Sequence, residues 1–132
     1  MRNLKTFNVE VDVKWANVRS PAEGEIWWVD LDPTKGHEQA GHRPVVVLSL
    51  QRFNGVTKRL IGVPVTTSIA PPGSGRAAFQ VPLSGCEKPS AALPDQITTL
   101  DWEARKATFT GWKATEAEMD EIWLRIRGIC GR

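Results

Sequence analysis

The sequence predicts a mainly β fold with minor α content, a small curved β-barrel finished by one C-terminal α-helix. Three observations lead there. Short segments of β-branched and aromatic residues recur at close spacing between Phe7 and Trp112, separated by Gly and Pro clusters. Some of these segments are apolar on both faces, as a strand inside a strongly curved sheet must be. Only beyond Thr115 does the apolar period lengthen from that of a strand to that of a helix.

Phe7, Val9, Val11, Val13 and Trp15 alternate with Asn8, Glu10, Asp12 and Lys14, the pattern of a half-buried strand. Residues 20–24 read as a turn. Residues 25–31 form the next strand, with Ile26 and Trp28 on one face and Trp27, Val29 and Leu31 on the other. Pro33, Gly36 and Gly41 make residues 32–41 a loop. Residues 44–50 and 60–67 are apolar runs of buried-strand length, and residues 70–75 are a flexible connection. Residues 78–83 and 91–100 give two further strands, residues 101–105 a single helical turn, and residues 107–112 the last strand. Thr115 and Glu118 make a capping-box pattern. Met119, Ile122, Trp123, Ile126 and Ile129 then recur at helical spacing, with an end near Gly128. The chain divides into an N-terminal extension, residues 1–20, expected to be an edge strand, and one domain over residues 21–132.

A chain of 132 residues, 41% hydrophobic and 24% charged, suits one globular domain. No run approaches the roughly 18 apolar residues of a membrane span. The N-terminus lacks the order of a signal peptide, so the cytoplasm is the expected location. Cys86 and Cys130 belong to no paired motif and are expected to be free thiols. The net charge of +2 does not single out a nucleic-acid binder. Residues 33–62, however, carry Lys35, Arg43, Arg52, Lys58 and Arg59 against Glu38 alone, a modest basic region that attracts phosphate.

The two histidines and two cysteines offer no zinc-type spacing, so no metal and no cofactor is expected. Nucleophile-elbow and phosphate-cradling glycine motifs are missing as well. What remains is residues 36–44, where His37, Glu38, Gln39, His42 and Arg43 crowd into a loop between two strands. Catalytic groups concentrate on loops held by a rigid scaffold. Cutting an RNA phosphodiester without metal needs a base for the 2'-hydroxyl and an acid for the leaving 5'-oxygen. It also needs a cation or hydrogen-bond donor for the crowded phosphate. The loop holds candidates for all three.

Gly24-Glu25-Ile26-Trp27, followed by Asp32-Pro33-Thr34-Lys35-Gly36-His37-Glu38-Gln39-Ala40-Gly41-His42-Arg43-Pro44-Val45-Val46-Val47-Leu48-Ser49, resembles the N-terminal signature of MazF/PemK toxins, the mRNA interferases of type II toxin–antitoxin systems. The likeness continues through Phe53-Asn54, Val63-Pro64-Val65-Thr66-Thr67, Pro82-Leu83-Ser84-Gly85, Asp95-Gln96 and Trp102-Glu103-Ala104-Arg105. It spans about residues 24–130. The resemblance implies an SH3-like, CcdB-like barrel that acts as a homodimer. It implies a metal-independent endoribonuclease that cuts single-stranded mRNA at short motifs, leaving a 2',3'-cyclic phosphate and a 5'-hydroxyl. The implied partner is a cognate antitoxin with an acidic, initially disordered segment. Gyrase poisons of the CcdB type share the fold without catalysis, but lack the Gly-His-Glu-Gln…Arg-Pro loop.

Carried over onto this sequence, Arg43 would stabilise the phosphate and serve as the general acid, and Thr66 would hydrogen-bond the scissile phosphate, with Thr67 as the neighbouring alternative. Glu38 would be either the general base or a bidentate partner that orients Arg43. His37 matches the PemK-like branch and suits proton transfer. Gln39, His42 and Lys35 are candidate RNA contacts, and Trp28 a candidate stacking platform for an unpaired base. Trp102, Trp112 and Trp123 are expected in the core or at a dimer contact. PemK-like relatives place a catalytic arginine where this chain has Leu93, a MazF-like feature that leaves the acid role to Arg43 and makes Asp95 structural rather than a base.

Overall fold

The structure, a computed structural model, describes residues 19–31 and 42–132. The strand expected at residues 7–15 lies outside them. The described elements run β1 (Glu25–Asp30), β2 (His42–Val47), α1 (Gln51–Thr57), β3 (Arg59–Thr66), β4 (Val81–Leu83), β5 (Ser90–Ala92), β6 (Thr98–Asp101), β7 (Thr108–Lys113) and α2 (Glu116–Cys130). Short 3-10 turns occupy Arg76–Phe79 and Pro94–Gln96.

The strands form one antiparallel sheet in the order β4-β5-β3-β2-β1-β7, with β6 also on β3. β3 makes the sheet curl. Its first half, Arg59 to Gly62, pairs with β6, and its second half, Val65 and Thr66, pairs with β5. Residues 91–100 are therefore two strands rather than the one expected. Pro94 has no N–H for a ladder and interrupts them, while the N–H of Leu93 still reaches the carbonyl of Pro64 at 2.9 Å. The result is the mainly β half-barrel with a C-terminal helix that the sequence predicts.

The two apolar faces of β1 each find a core. Ile26 packs with Val46, Leu48, Val63, Val65, Ile122 and Ile126. On the other side Trp27 and Val29 pack with Val45, Val47, Leu60, Leu100 and Trp102. Val29 is fully buried, which alone is worth roughly 1.5–3 kcal/mol relative to exposure. Gly62 sits where β2 and β3 close most tightly, since an added Cβ would lie 2.6 Å from both Val45 Cγ1 and the Val46 carbonyl oxygen.

The helix α1 has no counterpart in the sequence pattern. It has no side-chain N-cap and contains Gly55, so local signals are weak. Tertiary bonds hold it instead. The wholly buried Asn54 accepts from Ser49 Oγ at 2.6 Å and donates to the Pro21 carbonyl at 2.9 Å, while Trp102 Nε1 donates to the Asn54 carbonyl at 2.9 Å. The segment expected as a strand at residues 78–83 is a 3-10 turn followed by the short β4.

At α2 the capping box forms as predicted: Thr115 Oγ1 accepts from the Glu118 N–H, and Glu118 accepts from the Thr115 N–H. Ile122 and Ile126 are buried, and Met119 and Trp123 pack at the edge of the first core. The stripe ends there, because Ile129 is 48% exposed. Gly131 closes the helix in the left-handed region at φ 76°.

Candidate active site

The ladder between β2 and β3 runs from Val47 opposite Gly62 to Val45 opposite Pro64, and then stops. Beyond that point β3 turns to β5, with Thr66 opposite Ala91, while β2 stays with β1, with Arg43 opposite Val29 and Pro44 opposite Trp28. Pro44 cannot donate to a ladder, which suits a place where two strands part. Continuing the register would set Pro44 against Val65 and Arg43 against Thr66. Between the parted ends lies a cleft of about 330 Å³.

Arg43 and Thr66 both line it and are both half-buried. Thr66 Oγ1 accepts the Ser68 N–H at 3.0 Å, which leaves its O–H as a donor. Among the described residues no ion pair holds the Arg43 guanidinium. His42 and Thr67 lie on the rim, exposed. Trp28 forms part of the wall, half-buried as a stacking platform must be. His37, Glu38, Gln39 and Lys35 lie outside the described residues.

Four lining residues carry no signal in the sequence that would single them out. Glu87 and Lys88 come from the loop into β5, Ser90 is the first residue of β5, and Trp112 comes from β7. The sequence pattern puts Trp112 in the core or at a dimer contact; it does pack against the edge of the first core, and it also contacts Trp28, with ring centroids 5.8 Å apart and planes tilted by 58°. Trp102 is in the core, 4% exposed. Composition near Lys88 is uninformative, because a short polar loop between two strands is common. Asp95 is outside this cleft. It lies with Leu93, Arg76 and Gln96 around a smaller pocket of about 140 Å³ that shares only Thr66 with the first.

The charged groups lining the cleft are Arg43 and Lys88 against Glu87, a balance suited to a phosphate chain. At Cys86, next to this loop, burial pushes the thiol above the ordinary value, the Ser90 hydroxyl opposes that, and the charge of Glu118 adds to it. Among the described residues no group of three His, Cys, Asp or Glu side chains gathers to hold a metal.

The family model for the PemK-like, MazF-like toxin of type II toxin–antitoxin systems matches residues 22–129. The chain belongs to this toxin family. As a MazF/PemK family member it is 45% identical over 111 residues to the endoribonuclease toxin MazF of Escherichia coli strain K12, covering 84% of this chain and 95% of that one. It is 43% identical over 109 residues to the endoribonuclease PemK of Escherichia coli, covering 80% of this chain and 75% of that one. Among solved structures, MazF from Deinococcus radiodurans superposes with a TM-score of 0.70 at 31% identity, covering 86% of this chain and 98% of that one. A MazE–MazF structure from the same organism gives 0.68 at 26% identity over 85% of this chain and 96% of that one. No helix among the described residues is long and apolar enough to cross a membrane.

Proposed function

We propose that this family member is a toxin endoribonuclease that cuts single-stranded mRNA at short motifs by attack of the 2'-hydroxyl on its own phosphodiester. A base takes the 2'-hydroxyl proton, the 2'-oxygen bonds to phosphorus, and the bond from phosphorus to the 5'-oxygen breaks. An acid returns a proton to that oxygen, leaving a 2',3'-cyclic phosphate and a 5'-hydroxyl. No metal enters the scheme. The observation that carries the reading is the opening between β2 and β3, where Arg43 and Thr66, drawn from two separate sequence blocks, share one cleft.

In this reading Arg43 stabilises the phosphate and supplies the proton, since Leu93 stands where PemK-like relatives use a second arginine. Thr66 donates its O–H to a phosphate oxygen. Glu38 is the base or the partner that orients Arg43, His37 assists proton transfer, and Gln39, His42, Thr67, Lys35 and Trp28 contact the RNA. The toxin works in the cytoplasm as a homodimer. A cognate antitoxin neutralises it by laying an acidic segment over the cleft, a role supported by the solving of a related MazF together with MazE.

The test is cleavage of a long unstructured RNA in excess EDTA, with the new 5' ends mapped. The wild type should cut at defined positions. Arg43→Ala should lose at least about a hundred-fold, the scale for removing one transition-state donor. No cutting by the wild type, or equal cutting by Arg43→Ala, overturns the reading.

A further inference from the structure

Trp112 is the feature that the proposed chemistry leaves unused. We infer that Trp28 and Trp112 together form a slot for one unpaired nucleobase of the single-stranded RNA, flanking the phosphate at Arg43 and Thr66. The inference rests on the RNA-cleaving reading and adds a substrate-positioning residue to it.

The first argument is exposure. Trp27 and Trp102 are each 4% exposed, whereas Trp28 and Trp112 are half-buried and line the cleft, Trp112 resting with its other side on the first core. The second is how Trp112 reaches that place. The register between β1 and β7 shifts between Ile26 and Trp27, so that Ile26 opposes Trp112 while Trp27 opposes Phe109. Gly111 takes φ 90° inside the irregularity. Thr110 Oγ1 secures it, donating to the Ile26 carbonyl at 2.6 Å and accepting the Trp112 N–H at 2.9 Å. The irregularity takes up two residues, Thr110 and Gly111, so the faces are kept and Trp112 is moved along β7 to stand opposite Ile26, beside Trp28 on the same face.

The third argument is the company the pair keeps. Arg43 and Lys88 line the same cleft, so aromatic rings and cations are combined in one groove, as binding of a strand of bases and phosphates requires. Ser90 Oγ donates to the Lys88 carbonyl at 2.8 Å, which fixes the backbone that carries this cation. An indole pair without cations would suit an apolar peptide side chain; this arrangement suits a nucleotide. The base lies against the indoles and the phosphates on either side face Arg43 and Lys88.

The experiment uses the full chain and a short RNA oligonucleotide centred on a mapped cut site, with each base near the cut removed in turn to leave an abasic sugar. For the wild type, one abasic position should raise KM about ten-fold, within the range for loss of one base–aromatic stack. In Trp112→Leu that same abasic substitution should cost nothing further, while Trp112→Phe, which keeps a flat ring, should behave as wild type. Melting temperatures of both variants separate loss of stacking from loss of fold. Where Trp112→Leu is too unstable to assay, the Phe variant against Trp28→Leu gives the same comparison. Independent, multiplying losses in the leucine variant overturn the slot. So does a Trp112→Leu variant with unchanged KM that loses only antitoxin binding, which would assign the pair to a protein partner. If the wild type cuts no RNA at all, the RNA-cleaving reading itself has failed; if it cuts but shows no coupling, only the slot has.

Discussion

Glu118 ties the cap of the C-terminal helix to the loop that walls the cleft. One of its carboxylate oxygens accepts both the N–H and the hydroxyl of Ser84 at 2.9 Å, and the other accepts the Thr115 N–H at 2.9 Å. Three residues beyond Ser84 the same loop delivers Glu87 and Lys88 to the cleft. Glu118→Ala removes a cap and a loop anchor together. The expected cost is about 1–2 kcal/mol in a denaturant melt, with KM for RNA rising more than kcat falls. A variant as stable as wild type would show that the anchor contributes nothing.

Acid should weaken this fold through two carboxylates. At Glu25 burial works against the charge, but donation from Trp27 Nε1 and the Ala22 N–H, with the Arg19 guanidinium, outweighs it and holds the group below its ordinary 4.5. At Glu118 burial likewise opposes the charge, and the Thr115 and Ser84 donors outweigh it. Both groups bind protons less readily folded than unfolded. Their contribution is full above about pH 4.5 and drains away as pH falls through the lower folded values. Melting temperature should decline below that pH, and Glu25→Gln should flatten the decline while lowering the neutral-pH plateau.

Gly62→Ala tests the close approach of β2 and β3. The new Cβ would meet the Val46 carbonyl oxygen at 2.6 Å, and backbone cannot step aside as a flexible side chain can. A loss of about 2–3 kcal/mol is expected by chemical denaturation. Because this pair stands at the other end of the same short ladder from the opening, cleavage by the folded variant should fall less than stability.

Lys88 should read charge and not sequence. Lys88→Ala is expected to weaken binding of single-stranded RNA by a similar factor whatever its sequence, and to lower the salt dependence by about 0.7 in log–log slope. Binding titrations of two unrelated oligonucleotides at several salt concentrations check this. Weakening confined to one of them would make Lys88 a base contact instead.

Thr66 and Thr67 can be told apart by one methyl-for-hydroxyl exchange each. Thr66 is half-buried at the root of the cleft with its O–H still to donate, and Thr67 is exposed on the rim. Thr66→Val should cut at least about ten-fold more slowly, as loss of a hydrogen bond to a charged group predicts. Thr67→Val, which loses a rim contact to the RNA, should raise KM by a few-fold while kcat stays near that of the wild type.

Features that depend on neighbours along the chain are legible in the amino-acid sequence alone. The alternation in residues 25–31 tells which face each tryptophan takes, Thr115 and Glu118 announce the helix start, and the composition of residues 36–44 makes Arg43 and its neighbours candidates for proton transfer and phosphate binding. Matching blocks downstream carry the family. Each of these signals is contained within a few residues or within a fixed order of blocks, so a single chain suffices to read it.

Tertiary structure decides the rest, because the contacts responsible join residues far apart in sequence. The helix Gln51–Thr57 exists through Asn54 and its bonds to Pro21 and Ser49, not through helical propensity. The break at Pro94 gives β3 two partners on one edge, and that is what curls the sheet. The place where β2 leaves β3 brings Arg43 and Thr66 to one cleft. A bulge at Gly111 then adds Trp112 to its wall. Register and irregularity in a sheet are settled by pairings between strands and by the packing of both faces, and neither leaves a mark on the local pattern of the chain.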